Sequence, residues 1–121
     1  MSDSLSPPQP LRIDVEEQGD AAVIRLVGSA NMDAAADLQE RLVELADAPR
    51  RRLILDLSGL DFVSSVGLGA IIAAHLRCRH HKCQISLVAP QTRILELLEV
   101  TRLTRLFTIH ESVKAAMAAE V

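Results

Sequence analysis

The sequence predicts an α/β domain: a mixed, mostly parallel sheet of four to five strands, with an N-terminal hairpin and about four helices. Three observations predict it. Short apolar runs recur between longer stretches whose apolar residues fall at helical spacing, so strand and helix alternate along most of the chain. Alternation of this kind builds parallel sheets with right-handed crossovers. The first two runs depart from it: Leu11–Val15 and Ala22–Val27 are separated only by a turn containing Gly19, which predicts an antiparallel hairpin. The 121 residues suit a single domain able to bury roughly two-thirds of its extended surface without staples.

Each element has a local reason. Met1–Pro10 is rich in Ser and Pro, has little to bury, and reads as a flexible tail. Leu11-Arg12-Ile13-Asp14-Val15 alternates apolar and polar, the pattern of a half-buried strand, and Ala22–Val27 is a second strand ended by Gly28. Asn31 is placed to cap a helix, with Asp33 in the first turn complementing the dipole. Leu38, Leu42 and Leu45 form its apolar stripe, and Pro49 stops it. Leu53-Ile54-Leu55-Asp56-Leu57 is nearly continuous in apolar residues and reads as a central strand buried on both faces. Ser58–Val63 reads as a connection, and Ser64-Ser65 opens a helix to about Arg79 whose apolar positions are Leu68, Ile71, Ile72 and Leu76. A strand at Cys83–Val88 follows. Pro90 then begins a short helix carrying Ile94, Leu97 and Leu98, Leu106–Ile109 is a weak strand, and Glu111–Ala119 is a closing helix.

Composition narrows the function. Aromatic residues are two Phe, with no Trp or Tyr, so bases would find no stacking platform, and a net charge of −3 opposes a general nucleic-acid surface. No apolar run approaches the ~20 residues of a membrane-spanning helix. MSDSLSPPQP has neither the basic nor the apolar region of a secretory signal, so the expected compartment is the cytoplasm, where the two cysteines stay reduced.

Three chemistries can be weighed. His75, Cys78, His80, His81 and Cys83 crowd one stretch, but their spacing matches none of the common zinc patterns. The plainer reading is a helix end whose Arg77, Arg79, His80 and Lys82 oppose the C-terminal dipole. Ser64 and Ser65 sit at a strand–loop–helix junction, yet Gly-x-Ser-x-Gly is absent and His75 lies two to three turns away, so no base serves a nucleophile. Gly67-Leu68-Gly69 follows the helix start and is neither a P-loop nor a dinucleotide fingerprint. Its glycines serve close packing or leave room for a partner's backbone, and the serines have capping as their simplest role. No metal and no cofactor is expected.

Asp56-Leu57-Ser58-Gly59-Leu60-Asp61-Phe62-Val63-Ser64-Ser65-Val66-Gly67-Leu68-Gly69 resembles the signature of STAS-domain anti-sigma factor antagonists. There, a strand ends near Asp-x-Ser and a loop leads to Asp-Ser-Ser/Thr-Gly-Leu-Gly or Ser-Ser-Ala-Gly-Leu at a helix start. Val27-Gly28 followed by Asn31 is similar to the family's Gly-x-x-Asp. Val88-Ala89-Pro90 through Leu97, then Leu103–Ile109, is similar to its C-terminal half. The resemblance covers about residues 11 to 118 and implies one STAS domain at 11–121 behind a tail at 1–10.

The resemblance implies a bacterial, non-catalytic, phosphorylation-controlled binding module. The unphosphorylated protein sequesters a GHKL-type serine-kinase anti-sigma factor and so frees a sigma factor. The kinase phosphorylates one serine and a PP2C-type phosphatase reverses it. Carried over residue by residue, the acceptor is Ser65, and the partner-binding positions are Asn31, Asp61, Ser64, Ser65, Val66, Gly67, Leu68 and Gly69. The chain departs from the family pattern where Ser64 replaces an Asp before the acceptor, Asn31 replaces an Asp before the first helix, and Val66 replaces Ser, Thr or Ala. Some relatives instead serve a stressosome-type complex or a lipid-transport ATPase complex, the alternative use that the resemblance leaves open.

Overall fold

The computed structural model describes residues 10–49 and 52–119. Five strands, β1 (Arg12–Gln18), β2 (Ala21–Ala30), β3 (Arg52–Val63), β4 (Gln84–Val88) and β5 (Thr108–His110), form one sheet in that spatial order. β1 runs antiparallel to β2, and every other pairing is parallel, giving the expected hairpin and mixed sheet. The helices are α1 (Ala35–Asp47), α2 (Ser65–His80), α3 (Thr92–Val100) and α4 (Val113–Ala118), with a 3-10 turn at Leu103–Arg105. The expected tail lies outside the described residues except for Pro10.

β3 is central and covered on both faces. Leu55 belongs to the main core, which includes Ile24, Leu26, Leu38, Leu42, Ile71, Leu87 and Leu98. Ile54 faces the other way, into a smaller cluster with Ala21, Val23, Val88 and Ala116. Alternate residues of a strand point to opposite faces, so the continuous apolar run serves two layers. The core is aliphatic, as the composition requires. Of the two phenylalanines, Phe107 is buried and Phe62 is exposed.

Several boundaries differ from expectation. Ser58–Val63 is not a connection: β3 continues through it, paired with β2 across two register shifts. Gly59 permits this, since a Cβ there would lie 3.0 Å from Val27 Cγ2. Likewise β2 does not end at Gly28, whose φ of +103° suits glycine and marks an irregularity from which the strand proceeds to Ala30. Asn31 is not the N-cap of α1. Its Oδ1 accepts from Ala34 N–H at 3.0 Å, fixing a turn that precedes the helix. Pro90 is not the first residue of α3, which Gln91 caps and Thr92 opens, because the chain bends through a positive φ at Ala89. Leu76 is not on the buried face of α2 and is 57% exposed. The last strand begins later than expected, after the 3-10 turn. The closing helix is shorter, with Ser112 Oγ accepting from Ala115 N–H at 3.0 Å.

Candidate functional site

β2 and β3 end side by side, with Ala30 opposite Val63, and α2 starts directly after β3. Ser64 N–H donates to the Ala30 carbonyl at 2.8 Å, anchoring the junction to the end of β2. Ser64 is extended, 8% exposed, and its Oγ accepts from Gly67 N–H at 2.9 Å. It is the N-cap of α2, satisfying an amide that the helix itself cannot. Ser65 is the first helical residue and is exposed. Two adjacent serines are thereby separated, one turned into the fold and one out of it.

The same alternation sorts the rest of the motif. Val66 and Gly69 are exposed, whereas Gly67 and Leu68 are buried. A Cβ at Gly67 would sit 2.8 Å from the Ala30 carbonyl oxygen and 3.2 Å from Val63 Cγ2, so this glycine serves close packing of α2 on β2. A Cβ at Gly69 would meet nothing within 4 Å. Asp61 is exposed near the end of β3, and Asn31 is half-buried in the turn after β2. The surface of this end of the molecule therefore carries Asp61, Ser65, Val66 and Gly69. Ser64, Gly67 and Leu68 lie beneath and shape it.

Beyond Val66, which the motif already marks as partner-binding, Met32, Phe62 and Val100 are exposed apolar residues that the motif does not mark as such. Met32, just past Ala30, is 70% exposed, Val66 is 48% exposed and Phe62 is 46% exposed. Phe62 also lines an open groove of about 390 Å³ with Val63, Ile94, Leu97 and Val100, the last 82% exposed. The available signals were an aromatic in a chain with two, and a Val continuing the apolar stripe of α3 past its buried positions. Phe62 and Val100 share this groove, and contiguous exposed apolar surface marks interaction sites more often than scattered residues do.

His75 is not placed to act as a base for Ser65. His75 is on the same helix, about 15 Å further on at 1.5 Å per residue. Its ring is buried against Phe107, edge to face at 5.1 Å. Burial, with Arg79 adding repulsion, pushes the imidazole below its ordinary pKa. No group of three metal-ligating side chains occurs among the described residues. The expected basic helix end is present: Arg77 makes a two-armed ion pair with Asp47 at 2.9 and 2.7 Å, and His81 approaches the same carboxylate at 3.0 Å. The Arg77 hydrogen bond holds Asp47 below the usual carboxylate range. No described helix is long and apolar enough to cross a membrane.

Comparison with known proteins gives a consistent result. A family model described as STAS domain matches residues 12–116. A Bordetella bronchiseptica protein with the provisional name anti-sigma factor antagonist BtrV is 30% identical over 94 residues, which is 78% of this chain and 81% of that protein. The anti-sigma-F factor antagonist RsfB of Mycobacterium tuberculosis is 26% identical over 121 residues, 97% of this chain and 98% of its own. Among solved structures, the Bacillus cell fate determinant SpoIIAA in its phosphorylated form superposes with a TM-score of 0.71 at 16% identity, covering 88% of this chain and 96% of that one.

Proposed function

The chain belongs to the STAS-domain family, and from that membership we propose that it is an anti-sigma factor antagonist switched by phosphorylation of Ser65. Unphosphorylated, it sequesters a GHKL-type serine-kinase anti-sigma factor and frees a sigma factor. That kinase transfers phosphate to Ser65, and a PP2C-type phosphatase removes it. The protein works in the cytoplasm as a binding module and not as an enzyme. The names of the two curated relatives support the antagonist role.

The observation that carries the reading is the division of labour between the two serines. Ser64 Oγ is committed to capping α2, while Ser65 is exposed at its first turn, followed by the exposed Val66. A kinase can reach Ser65 without unravelling the helix. The phosphate would sit at a helix N-terminus, where free amides and the dipole favour an anion. Modification therefore leaves the fold intact and acts on the surface. It adds about −1.5 to −2 charge and three oxygens where Val66 and Gly69 would otherwise lie against the partner. A partner packed closely there is expelled by crowding and by the cost of desolvating the phosphate. Asp61 and Asn31 flank this surface and contribute polar contacts at its edge.

The test is capture of native partners by the purified protein and by Ser65→Asp. Retention of a GHKL-type ATPase by wild type, with weaker retention by Ser65→Asp, supports the reading. Retention of a transporter ATPase or a stressosome-type assembly by both forms contradicts it.

A further inference from the structure

The C-terminus of α2 ends in a Schellman motif. Cys83 N–H donates to the Cys78 carbonyl at 2.7 Å, Lys82 N–H donates to the Arg79 carbonyl at 3.3 Å, and Lys82 takes the left-handed conformation with φ of +59°. In this motif the residue after the left-handed position packs against the residue five earlier, usually as an apolar contact. Here both members of that contact are thiols, and their Sγ atoms lie 3.2 Å apart. Any two apolar side chains would serve the cap, but two cysteines add a chemistry that the cap does not require.

We propose that Cys78 and Cys83 are a reversible dithiol–disulfide modification site, oxidised by hydrogen peroxide. Two backbone hydrogen bonds hold the pair in register, so bonding needs only a small closure of the sulfurs towards the ~2.05 Å of a disulfide. Accessibility assigns the order of events. Cys83 is 6% exposed and Cys78 is 0% exposed, so Cys83 meets the oxidant and Cys78 resolves it. The Cys83 thiolate attacks one peroxide oxygen, giving a sulfenic acid and hydroxide. The Cys78 thiolate then attacks the Cys83 sulfur and expels the sulfenic oxygen, which leaves as water. Two thiols and one peroxide become one disulfide and two waters. The product ties the end of α2 to the start of β4, at the pole of the helix opposite Ser65, and leaves the exposed residues around Ser65 untouched.

The experiment treats reduced full-length protein with hydrogen peroxide and reads intact mass and thermal melting without reductant. The expected product is about 2 Da lighter, monomeric, melts a few degrees higher, and returns to the starting mass with dithiothreitol. Cys78→Ala should instead accumulate a mass about 16 Da heavier, the unresolved sulfenic acid. The wild-type mass stands as a readout even if that variant folds poorly. An unchanged wild-type mass, oxygen addition without the loss of two hydrogens, or a disulfide-linked dimer would each overturn the proposal.

Discussion

Gly67 and Gly69 lie two residues apart on α2, yet replacing each with alanine should shift stability in opposite directions. Alanine exceeds glycine in helix propensity by about 1 kcal/mol, a gain common to both variants. At Gly69 nothing opposes it, because the new methyl meets no atom within 4 Å. At Gly67 the methyl would stand 2.8 Å from the Ala30 carbonyl oxygen, 3.2 Å from Val63 Cγ2 and 3.3 Å from Ser64 Oγ. The nearest atom is backbone and cannot rotate away. α2 must retreat by roughly half an ångström, stretching the 2.8 Å bond from Ser64 to Ala30 and the 2.9 Å cap. Overpacking of this kind costs about 1–3 kcal/mol. The propensity term cancels in the comparison, so Gly67→Ala should be less stable than Gly69→Ala by about that amount. Urea titrations read the difference directly from the midpoints, provided the slopes agree. Equal midpoints would refute the claim that Gly67 fixes the approach of α2 to β2. Gly69→Ala carries a second expectation: near-normal or raised stability with weaker partner binding, if its methyl projects into the proposed docking surface.

Three further outcomes follow from the same geometry. Leu55→Ala, at a position with no exposure in the main core, should cost about 2–5 kcal/mol in denaturant unfolding; a change below ~0.5 kcal/mol would contradict its placement. Ser64→Ala removes the N-cap of α2 and should cost about 0.5–2 kcal/mol, while leaving the proposed acceptor Ser65 in place. His75 has a folded-state pKa below its unfolded value near 6.5. The unfolded chain therefore binds more protons, so stability rises with pH through this window and is lost as pH falls through the unfolded pKa. Melting temperatures from pH 7.5 down to 5.5 should show that loss, and His75→Leu should flatten it.

Much of the fold was legible because the signals were local. The run Leu53–Leu57 has too many apolar residues for a half-exposed strand, and the structure buries both its faces. Ser64-Ser65 announced the start of α2 because a serine oxygen suits that backbone position. What was not legible depended on the sheet. Ser58–Val63 carries Ser, Gly and Asp, turn formers by local preference, yet pairing with β2 holds it extended. Leu76 fits a helical stripe by spacing but faces solvent, because α2 is apolar on nearly all sides and spacing alone does not say which side is covered. Within the site, the motif marked a contiguous set, and only the helix geometry divides it into the exposed Ser65, Val66 and Gly69 and the buried Ser64, Gly67 and Leu68. The cysteine and histidine cluster matches no zinc pattern by spacing, but spacing alone does not say where its members go. The cap turns Cys78 and Cys83 towards each other, while His75 is buried against Phe107 and His81 pairs with Asp47.

In the proposed switch, phosphate on Ser65, and not on Ser64, releases the kinase partner. The most direct measurement incubates the protein with its cognate kinase and ATP, maps the phosphate by fragment mass spectrometry, and compares the affinities of the unmodified and stoichiometrically phosphorylated forms for that kinase. Phosphate should map to Ser65 alone, Ser65→Ala should escape modification yet retain binding, and phosphorylation should weaken binding at least tenfold, equivalent to about 1.4 kcal/mol. Phosphate on Ser64, or undiminished binding by the fully phosphorylated protein, would contradict it.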